Sequence, residues 1–123
     1  MATERALMDD PPRVAAVLDE YEVVLNKGSD DGIRMGETLL IYGMGPEISD
    51  PVTGRNLGPV ERVRGRGRVI HVQKSLATVR SLETKPMYSP TNNMLMFLTK
   101  PQPTHYQDLP FKNVECGDLA RPI

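Results

Sequence analysis

The sequence predicts an all-β domain, a small closed or partly open β-barrel of SH3-like or OB-like size. It carries a hairpin insertion and a Pro-rich C-terminal extension. Three observations predict this. The apolar runs are short, rich in Val, Leu and Ile, and separated by turn residues. Glycine (10) and proline (11) are abundant for 123 residues, about 17% of the chain against an average near 12%, yet below the roughly 25–30% of low-complexity chains. An apolar-x-x-Gly-acidic pattern opens a strand at Ile33-Arg34-Met35-Gly36-Glu37 and recurs at Val114-Glu115-Cys116-Gly117-Asp118, so the chain returns to its sheet near residue 119.

Residues 1–12 are polar and acidic and close on Pro11-Pro12, which stops a helix; they read as a flexible N-terminal arm. The β-barrel domain spans residues 13–84. Residues 13–18 and 21–26 read as a hairpin around Asp19-Glu20. Val14, Val17, Leu18, Tyr21 and Leu25 also fit one helical stripe, but Val23 and Val24 favour strand. Residues 27–32 form a loop in which Asp side chains cap backbone N–H groups. A strand over 37–42 leads into a turn-dense stretch. There Asp50-Pro51-Val52-Thr53-Gly54 suits a type I turn tipping a hairpin of 47–49 against 56–58. Residues 60–73 form a long strand, followed by a half-buried strand over 76–82 with period-two alternation. Residues 85–113 hold five prolines and read as an extended, loop-rich wrapping segment. Residues 114–123 are the returning C-terminal strand. The expected core draws on Val14, Ala16, Val23, Leu25, Ile33, Leu39, Ile41, Val63, Val69, Val79 and Leu119.

Val23-Val24-Leu25-Asn26-Lys27-Gly28-Ser29, then Gly32-Ile33 and Gly36-Glu37, form a pattern that resembles small bacterial β-barrel modules. It is similar to the C-terminal domain of flagellar assembly protein T. The stretch Ile48-Ser49-Asp50-Pro51-Val52-Thr53-Gly54-Arg55-Asn56-Leu57-Gly58 resembles that family's inserted hairpin. The resemblance covers residues 13–82, with a return at 114–120. It implies an accessory, non-enzymatic barrel that docks on other proteins, and it supplies no catalytic residues.

The densest chemistry is Arg62-Val63-Arg64-Gly65-Arg66-Gly67-Arg68. Alternate residues of a strand share a face, so Arg62, Arg64, Arg66 and Arg68 are expected to line one face over about 20 Å, with Val63, Gly65, Gly67 and Val69 inward. Two inward glycines point to coiling, a bulge or a close backbone approach. Ile70 and Val72 break the alternation, and a bulge near 67–69 would resolve it. Guanidinium forks bind phosphate or carboxylate, which makes the stripe a candidate anion or partner site. The competing reading pairs these arginines with Glu20, Glu22 or Glu37 on neighbouring strands. Charge along the chain fits either: residues 1–50 sum to −7, residues 51–100 to +7 and residues 101–123 to −1.

Met94, Met96 and Phe97 lie in a five-residue apolar run and form a candidate contact patch, because Met-rich surfaces adapt to partners. His71 reads as partly buried and structural, and Cys116 as a small packing residue. With His105 they match no zinc spacing; no metal or cofactor is expected. A lone cysteine forms no intrachain disulfide, and no signal peptide or membrane span is visible, so a cytoplasmic address is expected. No nucleophile elbow, dinucleotide fingerprint or phosphate loop occurs. The function expected is a non-enzymatic protein-interaction or assembly module that binds a protein partner or itself. The alternative is a nucleic-acid-binding barrel using Arg62 to Arg68.

Overall fold

The computed structural model describes residues 10–88 and 102–123. Every regular element among them is a strand, apart from one turn of 3-10 helix over Ser29–Asp31. The strands are β1 (Val14–Val17), β2 (Glu22–Leu25), β3 (Thr38–Ser49), β4 (Asn56–Val72), β5 (Ala77–Ser81), β6 (Thr84–Met87), β7 (His105–Asp108) and β8 (Leu119–Pro122). Six form one antiparallel sheet in the order β1-β2-β5-β4-β3-β8, and β6 and β7 form a separate ribbon. The all-β expectation holds.

No continuous ladder closes the sheet into a barrel. Its outer strands meet at one isolated bridge, Arg13 to Leu119. Around it Val14 N–H donates to Asp118 O (2.7 Å), Gly117 N–H to Val14 O (2.8 Å) and Ala120 N–H to Pro12 O (2.9 Å). Residues 10–12 are thus docked rather than frayed. Pro12 is fully buried, and Asp10 reaches Lys27 at 2.8 Å.

The recurring apolar-x-x-Gly-acidic pattern repeats as geometry. Gly36 and Gly117 both have positive φ, 85° and 93°. Gly36 N–H donates to Val69 O while Val69 N–H donates to Glu37 O, and Gly117 with Asp118 makes the same two bonds to Val14. In both turns the acid's carboxylate accepts a backbone N–H three residues back, from Arg34 and from Glu115. One local device therefore launches both β3 and β8.

The β1–β2 connection lacks glycine. Asp19 supplies the turn instead, its Oδ1 accepting from Tyr21 N–H (2.7 Å) and Glu22 N–H (2.9 Å). In the following loop, Gly28 lies so close to Gln73 O, Leu76 N and Lys74 O that a Cβ has no room. Ser29 and Asp30 N–H donate to Gln73 O and Lys74 O, which seals this loop onto the β4–β5 turn.

The core is Val14, Val23, Leu25, Ile33, Leu39, Ile41, Val69, Ala77, Val79, Phe111 and Ala120. Ala16 and Leu119 are only half-buried, and Val63 is 55% exposed. Both inner glycines of β4 face Phe111: ideal Cβ atoms on Gly65 and Gly67 would meet its ring at 3.2 and 3.0 Å. The glycines thus make room for an aromatic ring, which explains their inward placement.

The segment expected to be loop-rich contributes β6 and β7, paired from Thr84 with Asp108 to Met87 with His105. Pro86 is tolerated because both strands of a two-stranded ribbon are edges. Leu109 N–H to Glu83 O (2.7 Å) closes the base of the ribbon, and Ser81 Oγ to Leu109 O (2.7 Å) ties it to the main sheet.

Candidate functional site

The arginine stripe is not one face. In the β3–β4 ladder Ile41 opposes Gly65 while Tyr42 opposes Val63, leaving Arg64 as the extra residue of a bulge. Gly65, at φ 142°, adopts a backbone that L side chains rarely take. Directly opposed residues share a face, so the bulge reverses the alternation. Arg66 and Arg68 stay on the outer face. Arg62, opposite inward Gly43, turns to the inner face, and Val63 turns out beside Tyr42. A second irregularity between Val69 and His71, in the pairing with β5, absorbs Ile70.

Arg64 enters the rim of the core. Its Nε lies 3.1 Å from Asp118 Oδ2, with the side chains 14% and 7% exposed. Gly43 leaves the space for this pair, since a Cβ there would meet Asp118 Oδ1 at 2.7 Å and an Arg64 nitrogen at 2.8 Å. Arg66 pairs with Glu83 at 3.5 Å, and Glu83 also accepts from Arg66 N–H at 2.9 Å. Two of the four arginines thus meet the chain's own acids, but not the expected ones. Glu22 instead binds Arg80 at 3.3 Å, together with Asp108 at 3.7 Å. Among the described residues, Arg62 and Arg68 form no ion pair.

Asp118, Glu83 and Phe111 carry roles that sequence reading missed. Only Asp118 had a signal, its place in the Gly36-Glu37 echo. A third constellation lies on the outer face. Arg121 sits 4.8 Å over the Tyr42 ring and pairs with Glu61 at 2.7 Å. The bond to Glu61 is the main cause raising the Arg121 pKa. Tyr42, 7% exposed, is covered by this clasp.

Beyond the sheet, residues 43–49 of β3 and 56–62 of β4 pair only with each other. They form a two-stranded arm longer than the small hairpin expected, and Leu57 is an extra residue that shifts the register: Glu47 lies opposite Pro59, Ile48 opposite Gly58 and Ser49 opposite Asn56. At its tip Asp50 accepts from Val52 N–H (2.9 Å) and Thr53 Oγ1 (3.0 Å), and these bonds lower its pKa. Met44, Ile48, Leu57 and Val60 on the arm are 42–53% exposed, and Val52 at the tip is 88% exposed. Prolines 46 and 59 and two register shifts, between Met44 and Glu47 and between Ile48 and Ser49, blunt its edges against strand addition, which leaves side chains as the means of contact.

His71, His105 and Cys116 lie on β4, on β7 and in the turn before β8, all exposed. His71 is therefore not partly buried, and Cys116 is not packed inside. Among the described residues no group of three His, Cys, Asp or Glu side chains is placed to hold a metal ion, and no helix is long and apolar enough to cross a membrane. Met94, Met96 and Phe97 lie outside the described residues. No family model matches the chain, and no curated protein does.

Proposed function

We propose that this protein is a non-enzymatic protein-docking module, a small barrel-like scaffold that presents the β3–β4 arm to a protein partner. One observation carries this reading: the arm extends past the six-stranded sheet with four half-exposed apolar side chains and an exposed Val52 at its tip. Apolar surface concentrated on a projecting element marks an interaction site more often than scattered apolar residues do. The tied sheet edges support the scaffold part of the reading, and an assembly role accords with the resemblance to the flagellar barrel modules.

Affinity capture with the wild-type chain and with Ile48→Asp and Val60→Asp tests it, with retained proteins identified by mass spectrometry. A partner held by the wild type and lost from both variants is expected. Capture unaffected by either substitution overturns the role of the arm.

The nucleic-acid reading retains only Arg62 and Arg68 as unpaired members of the stripe, and the bulge puts them on opposite faces. A duplex or strand tracking one groove needs its cations together. Salt-titrated oligonucleotide binding that falls on Arg62→Ala and Arg68→Ala would revive it.

A further inference from the structure

The sheet has a gap. After the bridge at Arg13 and Leu119, β1 and the returning chain diverge, and a cleft of about 630 Å³ opens between the end of β1 and residues 110–114. Val17, Phe111 and Val114 give it an apolar floor, and Asp19, Glu20 and Lys112 line its rim. Glu20 is exposed and, among the described residues, its carboxylate has neither ion pair nor hydrogen bond. The volume lies within the roughly 300–1,000 Å³ of built recognition sites.

One face of the arm offers a match to Glu20 and the apolar floor. Among the described residues Arg62 has no ion pair, while Ile48 and Val60 on the same inner face are each 42% exposed. Within one molecule, among the described residues, no ion pair joins Arg62 to a residue lining the cleft.

Resting on the docking reading of the arm, we propose that the occupant of the cleft is the β3–β4 arm of a second copy of this chain, with Arg62 meeting Glu20. Arm and cleft are different surfaces. The contact is therefore heterologous, and it propagates head to tail into a ring or an open chain rather than closing as a two-fold dimer.

Sedimentation of the purified chain with charge-reversed variants tests this. The wild type is expected to gain mass with concentration. Glu20→Lys and Arg62→Glu are each expected to stay monomeric with unchanged thermal midpoints, and Glu20→Gln serves if the lysine variant does not fold. An equimolar mixture of Glu20→Lys and Arg62→Glu is expected to regain assembly with the two variants alternating, because each variant's arm meets a cleft of opposite charge on the other. The double variant Glu20→Lys/Arg62→Glu regains assembly. A wild type that remains monomeric up to about 1 mM, the range of the weakest specific contacts, overturns the inference. So does assembly blocked by Arg62→Glu but indifferent to Glu20→Lys, which describes an arm-to-arm contact. A monomer that still captures another protein through Ile48 and Val60 overturns the second copy while leaving the docking reading standing.

Discussion

Arg64 and Asp118, 54 residues apart, hold one another at 3.1 Å over the backbone of Gly43. Asp118 Oδ2 also accepts Glu115 N–H at 2.8 Å, so one oxygen serves both the ion pair and the turn that launches β8. Removing one member strands the other in a site that excludes most water. Arg64→Ala and Asp118→Ala should each cost about 3–5 kcal/mol, the range for breaking a buried pair. Asp118→Ala should cost the more because it also releases the turn. Urea denaturation checks both, and a loss below about 1 kcal/mol for either would place the pair among solvent-screened ones.

Phe111 over Gly65 and Gly67 gives a second expectation. Phe111→Ala should lose about 3–5 kcal/mol through the cavity it leaves. Gly67→Ala should lose about 1–3 kcal/mol by overpacking, since its Cβ would collide with Val79 and crowd the ring. The two sites share an atom contact, so the double variant should lose less than the sum. Strict additivity would mean that the ring does not set the space at Gly67.

Gly28 and Gly54 make a paired comparison. At Gly54 nothing lies near a Cβ, and only its φ of 74° opposes a side chain. Gly54→Ala should therefore cost about 1–2 kcal/mol, the penalty of a left-handed backbone. Gly28→Ala meets three backbone atoms that cannot swing away, and it should part the seam between residues 28–30 and 73–76. Amide exchange at Ser29 and Asp30, whose N–H groups close that seam, should accelerate in Gly28→Ala and stay unchanged in Gly54→Ala.

Asp50 sets an acid dependence at the arm tip. Its folded pKa is lowered, chiefly by the bond from Val52 N–H and then that from Thr53. A lowered carboxylate pKa contributes stability above the unfolded value, and this is lost as pH falls through the folded value. The NMR titration of Asp50 should therefore lie to the acid side of ordinary aspartates. Amide exchange at Val52 should differ between wild type and Asp50→Ala at neutral pH and converge once Asp50 is protonated. A midpoint at or above the ordinary aspartate value would contradict the capped turn.

Local features were legible where local chemistry decides them. The arm's tip followed from Asp50-Pro51-Val52-Thr53-Gly54, though not the register shift at Leu57, and the return of the chain from the echo of Gly36-Glu37 in Gly117-Asp118. The split stripe was not legible. Arg-x-Arg alternation reads as one face, and only the ladder shows that Gly65 takes the backbone that makes Arg64 an extra residue. Nor could the sequence choose Asp118 and Glu83 over Glu20, Glu22 and Glu37 as partners, because that choice depends on which strands become neighbours. Phe111 was hidden by the prolines around it, which suggested a surface wrap where the chain in fact dips into the core.

The tie between the sheet's two outer strands bears on how the molecule reaches this state. Arg13 Nη1 donates to Gly117 O across 104 residues, and the bridge beside it spans a similar length. Both close long loops, so their entropy cost is best offset once the strands between them are paired. Closing so long a loop is rewarded only at the end, which places this topology among the slow folders, in the millisecond-to-second range. During that interval the edges of β1 and β3 stay open. The bulges and prolines that blunt the arm then act before the fold is complete, keeping nascent chains from pairing with one another.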